Sequence, residues 1–272
     1  MPELPEVETT LRGIEPHLIG RSFSKIDIRQ PKLRWLITPE LASDSVGQVI
    51  TGLSRRGKYI GIHTGKGTLI IHLGMSGSLY FVPAETPPLF HDHVDFRFSE
   101  SESWLRYTDP RRFGAILWTT GDWNEHELIK HLGPEPLSDL FNVDILYARA
   151  KGRKVPIKTF IMDSKIVVGA GNIYANEALF KAGIRPNRMA GNISKARLAV
   201  LVECIKLVLS AAIKQGGTTL KDFVGGDGKP GYFKQELLVY GRAGKPCTVC
   251  STPLKEIRLA QRSTVYCTNC QT

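Results

Sequence analysis

Cys247-Thr248-Val249-Cys250 and Cys267-Thr268-Asn269-Cys270 lie at the end of the chain, and their spacing, C-x2-C-x16-C-x2-C, decides how that end folds. Two such knuckles can place four thiolates tetrahedrally around one zinc ion, with a hairpin-sized insert between them. A pair of disulfides is the alternative. No secretory hydrophobic segment precedes the chain, however, and paired knuckles favour metal. The insert carries Lys255, Arg258, Gln261 and Arg262 against a single acid, Glu256. A zinc-stapled finger with a basic tip points to a nucleic-acid contact, and reduced thiols point to the cytosol.

The charge distribution points the same way. Of the 272 residues, 1–141 hold 15 basic and 18 acidic side chains, whereas 142–272 hold 21 and 8, so the C-terminal half stands at +13. A field of that sign attracts a polyanion at ordinary salt. A basic solvated surface without a partner is the plainer alternative; together with the finger, the asymmetry favours nucleic acid. Neither feature says whether the protein does chemistry. With 42% apolar residues the chain can bury one large core or two modest ones. No stretch approaches the length that spans a bilayer, so a soluble protein is expected.

From Phe23 to Trp118 short apolar runs, Tyr59–His63, Leu69–Leu73 and Leu79–Val82 among them, are broken by Gly and Pro turns. That rhythm predicts an antiparallel sandwich or barrel. Residues 119–141 read as a connector, with Gly133-Pro134-Glu135-Pro136 as a hinge. Beyond 141 the period becomes helical. Over 194–214, Ser194 is a plausible N-cap, and Leu198, Leu201, Val202, Ile205, Val208, Leu209 and Ala212 share one face. Cys204 flanks that stripe and reads as core packing. Residues 216–231 hold six glycines and have the composition of a functional or mobile loop.

The chain begins Met1-Pro2-Glu3-Leu4-Pro5-Glu6-Val7-Glu8. Methionine before proline is normally removed, which leaves Pro2 with a free secondary amine. A helix is predicted to follow: Pro5 suits its first turn, Glu6 and Glu8 suit the positive end of its dipole, and Val7, Leu11, Ile14 and Leu18 form its buried stripe. Helix-start chemistry accounts for Glu6 and Glu8 but leaves Pro2-Glu3 unexplained. A terminal amine titrates near 8, so a sizeable fraction is nucleophilic near neutrality. A secondary amine can form an iminium with a sugar aldehyde, and an adjacent carboxylate can shuttle protons.

The N-terminal segment, the finger and the motifs between them closely resemble those of formamidopyrimidine-DNA glycosylases, bacterial base-excision repair enzymes, over essentially the whole chain. The sister endonuclease VIII family typically has glycine where this chain has Leu4. The resemblance implies that Pro2 is the Schiff-base nucleophile attacking C1′ and that Glu3 is the general acid/base. It implies that Lys58 is a proton donor in β-elimination, and that Arg262 grips the phosphate beside the lesion and serves δ-elimination. Taken alone, Lys58 reads as a strand-edge surface lysine. Asn172, after Gly169-Ala170-Gly171, matches a phosphate-holding asparagine of a helix–two-turns–helix motif, a role compatible with an ordinary N-cap. His91 and Arg153 align with DNA contacts.

A base removed from duplex DNA must first leave the stack. Met75, in Gly74-Met75-Ser76-Gly77, with Arg111 and Phe113, in Asp109-Pro110-Arg111-Arg112-Phe113-Gly114, matches the family's void-filling wedge. By composition alone Met75 and Phe113 read as core. The 216–231 loop matches a segment that closes over the extruded base.

The expected fold is α+β and multidomain. It comprises an N-terminal antiparallel β-sandwich with its helix over 1–132, a hinge at 133–141, a helical domain over 142–236 and a zinc-finger β-hairpin over 237–272. One structural zinc on Cys247, Cys250, Cys267 and Cys270 is expected, since four cysteines leave no open position for catalysis. The implied activity is excision of oxidised purines from double-stranded DNA followed by β,δ-elimination, by a cytoplasmic, nucleoid-associated monomer without membrane contact. An endonuclease VIII-like enzyme for oxidised pyrimidines is one alternative. A non-enzymatic zinc-finger DNA-binding protein is the other.

Overall fold

The computed structural model describes residues 2–216 and 237–272, so nearly all of the glycine-rich stretch 216–231 lies outside the described residues. Two compact units are present, one built on residues 2–131 and the other on residues 132–214 with 237–272.

The first unit opens with helix α1 (Leu4–Leu18), whose buried stripe contains Val7, Leu11, Ile14 and Leu18 as the spacing predicts. Strand β1 (Phe23–Ile28) and a short helix α2 (Leu41–Ser45) precede β2 (Ile50–Arg56), β3 (Tyr59–Thr64), β4 (Thr68–His72) and β5 (Ser78–Pro83). Then come β6 (Asp92–Phe98), β7 (Ser103–Thr108) and β8 (Ala115–Thr119). They form two four-stranded antiparallel sheets, in the orders β1-β6-β7-β5 and β2-β3-β4-β8. Phe23, Phe96 and Leu105 of the first sheet and Ile60, Leu69 and Ile71 of the second belong to one apolar cluster, joined by the stripe of α1. This is the expected sandwich. Helix α1 lies against β2, β3 and β5.

The stretch 119–141, read from sequence as a connector, does more than connect. Ile70 is fully buried yet lies outside the sandwich cluster that holds its neighbours Leu69 and Ile71, because alternate strand residues face opposite ways. Its cross-strand partner is Gly61, where a Cβ would sit 3.1 Å from the Trp123 ring. Trp123, itself buried, therefore covers the outer face of this sheet.

The outer face of the other sheet carries a buried ionic cluster. Arg106 on β7 is 2% exposed and pairs bidentately with Asp95 on β6, at 2.8 Å for both bonds. Its remaining donors reach Asp92 Oδ2 at 3.2 Å and the carbonyls of Thr86 at 2.8 Å and Pro87 at 3.2 Å. Arg29 adds a bond to Asp95 at 2.9 Å. One guanidinium thus ties two strands to the loop ahead of β6.

In the second unit α3 (Val143–Ala150) is capped by Asn142, whose Oδ1 accepts from the Ile145 N–H at 3.1 Å. Helices α4 (Ile157–Met162) and α5 (Asn172–Lys181) follow, separated by turns over 163–171, and then α6 (Lys195–Lys214). The seven residues expected on one face of α6 are all buried, and Ser194 Oγ accepts from the Arg197 N–H at 3.4 Å. Cys204 is only half-buried, lining a surface groove with Val200 and Leu207, so it is not the core residue expected. Gly133 and Pro134 are bonded into this unit, through Gly133 N–H to Ser164 O at 2.7 Å and Val168 N–H to Pro134 O at 3.1 Å. The hairpin β9 (Lys255–Leu259) and β10 (Arg262–Tyr266) packs on α5. No helix among the described residues is long and apolar enough to cross a membrane.

Replacing Arg106 with Met removes the main counterion of two buried carboxylates. Urea unfolding should show a loss of about 3–5 kcal/mol; a loss within about 0.5 kcal/mol would mean that the cluster is not buried in solution.

Candidate nucleic-acid interface and metal centre

Glu3, 1% exposed, stands at the N-cap of α1 and is not a residue outside the helix without structural work. Its N–H donates to Glu6 Oε2 at 2.8 Å, while its own side chain accepts from the Glu6 N–H, closing a capping box. The helix therefore explains why acids stand at both positions, and it fixes the direction of the Glu3 carboxylate beside Pro2. Glu8 binds Arg55 Nε at 2.6 Å and Arg12 at 2.8 Å. Burial pushes the Glu8 carboxyl up, but the two arginines outweigh it and hold the group below the ordinary range. Arg55 also donates to Gly57 O at 2.9 Å, within the turn that carries Lys58. A single arginine thus joins the start of α1 to the Lys58 turn.

His72, at the end of β4, receives the Gly74 N–H on Nδ1 at 3.1 Å and faces the Tyr59 ring at 4.7 Å. Burial, reinforced by the charges of Lys58 and Arg34, pushes its pKa down to about 4, so the ring is neutral at physiological pH.

Met75, Arg111, Phe113 and His91 come together around Asp109, a residue 0% exposed that was not singled out from sequence. Its Oδ1 accepts from Ser76 Oγ at 2.8 Å and the Arg111 N–H at 3.3 Å; its Oδ2 accepts from the Gly114 N–H at 2.9 Å and the Tyr107 hydroxyl at 3.3 Å. Its backbone N–H donates to His91 O at 3.1 Å. The two loops touch: Gly74 has φ +65°, and a Cβ there would lie 2.5 Å from Gly114 N. Met75 is 37% and Phe113 45% exposed, with the Arg111 guanidinium 4.8 Å from the Phe113 ring. Met75 and Phe113 stand out of the surface, so neither is core.

The second unit gathers Arg153, Arg262 and Lys158 around a pocket of about 430 Å³. Lys158, 1% exposed, was missed from sequence because it sits in the apolar run Ile157–Met162. Its Nζ donates to Asn172 Oδ1 at 2.5 Å, Thr264 Oγ1 at 2.7 Å and Ser263 O at 2.9 Å. Asn172 does open α5, but Gly171 is the N-cap, so its side chain serves Lys158 and does not cap the helix. The ammonium thereby holds Asn172 beside the strand that begins with Arg262. Arg262 follows the two-residue turn Ala260-Gln261, whose φ values of +46° and +61° mark a type I′ hairpin without its usual Gly or Asn.

Helix α5 is the rail on which the finger sits. Asn176 Oδ1 accepts from the Val265 N–H at 3.0 Å, and the Glu177 carboxylate accepts from the N–H groups of Leu238, Val239 and Tyr240 at 2.9–3.0 Å. The four sulfurs of Cys247, Cys250, Cys267 and Cys270 lie within 4.8 Å of one another. The Cys247–Cys270 pair is 3.9 Å apart and the Cys250–Cys267 pair 3.4 Å. Disulfides would need about 2.05 Å, whereas tetrahedral Zn–S bonds near 2.3 Å put sulfurs about 3.8 Å apart. The donor set fits one structural zinc. Four thiolates this close repel one another, so they need a cation among them.

Two measurements test these centres. His72 binds a proton more readily unfolded, near 6.5, than folded, near 4. Its contribution to stability should be complete above pH 6.5 and disappear as pH falls towards 4, and NMR titration should place the folded ring near 4; a folded value above about 6 would contradict its burial. Chelation should release one zinc per chain and collapse amide-exchange protection over 247–270, given metal binding on the order of 10 kcal/mol. Unchanged protection in metal-free protein would rule out that role.

Residues 1–116 match the formamidopyrimidine-DNA glycosylase N-terminal domain, residues 132–224 its H2TH domain, and residues 244–272 the zinc finger found in FPG and IleRS. The chain is 84% identical over 271 residues to the formamidopyrimidine-DNA glycosylase of Marinomonas sp. strain MWYL1 and 59% identical to that of Cellvibrio japonicus, with 100% of both chains covered in each case. A solved Lactococcus lactis structure, in complex with DNA containing N7-benzyl-Fapy-dG, superposes with TM-score 0.91 at 32% identity, covering 99% of each chain. The Thermus thermophilus protein gives 0.88 at 34% identity, covering 99% of this chain and 98% of its own. Family matches along both units, and relatives aligned from end to end, make this chain a member of the formamidopyrimidine-DNA glycosylase family.

Proposed function

We propose that this protein is a bifunctional DNA glycosylase and AP lyase that excises oxidised purines, 8-oxoguanine and formamidopyrimidines, from duplex DNA. The observation that carries the reading is 84% identity to a formamidopyrimidine-DNA glycosylase over the full length of both chains. The exposed Met75, Arg111 and Phe113 around Asp109, and Arg153, Lys158 and Arg262 around one pocket, support it.

The chemistry begins at Pro2 once Met1 has been removed. Its secondary amine attacks C1′, the N-glycosidic bond breaks, and the base departs with a proton. Lysine would need its pKa lowered by roughly two units or more to offer as much free amine near neutrality. Glu3, held in direction by its capping box, delivers the proton that opens the sugar ring. The iminium acidifies C2′–H; loss of that proton expels the 3′ phosphate, and loss of the C4′ proton then expels the 5′ phosphate. Water releases the sugar remnant and a one-nucleotide gap remains.

Lys58 serves as proton donor in the β-elimination, and Arg262 serves the δ-elimination. Arg262, Asn172 and Arg153 hold phosphates, and Lys158 positions the first two. His91 contacts DNA, while Met75, Arg111 and Phe113 fill the space left by the everted nucleotide. The sandwich thus bears the reactive groups, and the helical residues with the finger bear the grip. Zinc, when bound, supplies the charge that lets four thiolates staple the finger and takes no part in bond breaking.

Borohydride should trap the processed protein covalently on 8-oxoguanine duplexes through its N-terminal residue, and Glu3→Gln should cut turnover by about 10²–10⁴-fold. A duplex carrying an oxidised pyrimidine should be cut more slowly. A non-enzymatic binder would give no adduct. An adduct mapped to a lysine, or full activity with Met1 retained, would overturn the mechanism.

A further inference from the structure

Beside His91 the first unit carries a groove of about 260 Å³, lined by Arg29, Gln30, Leu89, Phe90, His91 and Arg112 among others. Drug-sized sites begin near roughly 300 Å³, so this one has room for a single planar ring system. Phe90 is 91% exposed and Leu89 76%. Isolated exposed apolar residues are ordinary. This pair stands out because its loop is fixed on every side.

Arg106 donates to Thr86 O at 2.8 Å and Pro87 O at 3.2 Å; the Leu89 N–H donates to Asp92 Oδ2 at 2.8 Å; the Asp92 N–H returns to Leu89 O at 3.0 Å. The Asp109 N–H holds His91 O at 3.1 Å. Phe90 is therefore an aromatic face presented to water on an immobilised backbone, with the His91 ring edge-on at 4.8 Å. A face fixed in advance loses little entropy when something stacks on it.

The walls fix what that something is. Arg112 is exposed and held at φ +55°, a left-handed conformation that an arginine adopts only at a cost. Arg29 also lines the groove, with its charge answered by Asp95 at 2.9 Å. The lining carboxylate Asp92 and the neighbouring Asp95 are buried and answered by Arg106 and Arg29. The exposed Arg112 beside aromatic rings, with no exposed carboxylate among the lining residues, suits a polyanion that carries flat apolar faces.

We propose that this groove receives an unpaired base of the DNA, stacked on Phe90 beside His91, with Arg112 against the adjoining phosphate. The inference rests on the DNA-repair reading above and extends the footprint beyond the everted lesion. It makes Phe90 a determinant of preference for DNA whose pairing is already broken near the damage.

The test compares wild type, Phe90→Ala and Phe90→Trp on two lesion-free probes, a plain duplex and the same duplex with one bulged 2-aminopurine. Wild type should bind the bulged probe more tightly and quench its fluorescence. Phe90→Ala should lose about 5- to 160-fold in affinity for that probe, the range for one base on one ring. Its plain-duplex affinity, salt slope and cleavage of an 8-oxoguanine duplex should stay as in wild type, and Phe90→Trp should keep the preference. An undiminished preference in Phe90→Ala would overturn the proposal and leave Leu89–Phe90 as a contact for a protein partner. A wild type that cuts lesion DNA but ignores the bulge would overturn the groove alone. A wild type inert towards lesion DNA would overturn the functional reading itself.

Discussion

A charge taken out of water has to be met by hydrogen bonds in the directions its atoms offer, and here the groups that meet it are the segments that present the site. Arg106 spends its guanidinium on two strands and on the loop leading to His91. Asp109 gathers donors from the Met75 loop and from the Arg111–Gly114 loop. Lys158 is satisfied by Asn172 and by the strand that starts at Arg262. Glu177 is satisfied by the chain entering the finger. Each buried ion pins surface backbone that has little apolar area of its own with which to hold its place.

This arrangement suits a protein that must work against the stacking of DNA. The apolar cores set the positions of sheets and helices to within a packing distance. The ionic hubs then set the loops to within a hydrogen bond. Removing a hub therefore leaves an unanswered charge as well as a loosened loop.

The metal does comparable work at the end of the chain. The finger has only a small apolar cluster, built from Val239, Leu254 and Val265 against Phe180 of α5. A hairpin of that size is marginal without a staple. Four sulfurs around a zinc ion, with Asn176 and Glu177 as docking points, hold the left-handed Ala260-Gln261 turn and place Arg262 at the start of its strand.

What could be read from sequence was whatever depends on neighbours along the chain. The knuckle spacing, the one-faced stripe of α6, the strand rhythm and the start of α1 are local patterns, and the structure keeps all of them. The candidate residues were legible largely through family resemblance, since a lone lysine or methionine carries no local signature. Pairing over distance was beyond such a reading. Lys158 meets Thr264 across 106 positions, Glu177 meets Val239 across 62, and Ser76 reaches Asp109 across 33. Lys158 passed unnoticed in an apolar run, Glu3 looked unexplained, and Cys204 looked buried. Sequence periodicity determined which faces turn inward, because burial follows the period of the backbone. Only the tertiary structure decided which buried charges meet and which loops they hold, because that depends on separations the chain closes in space.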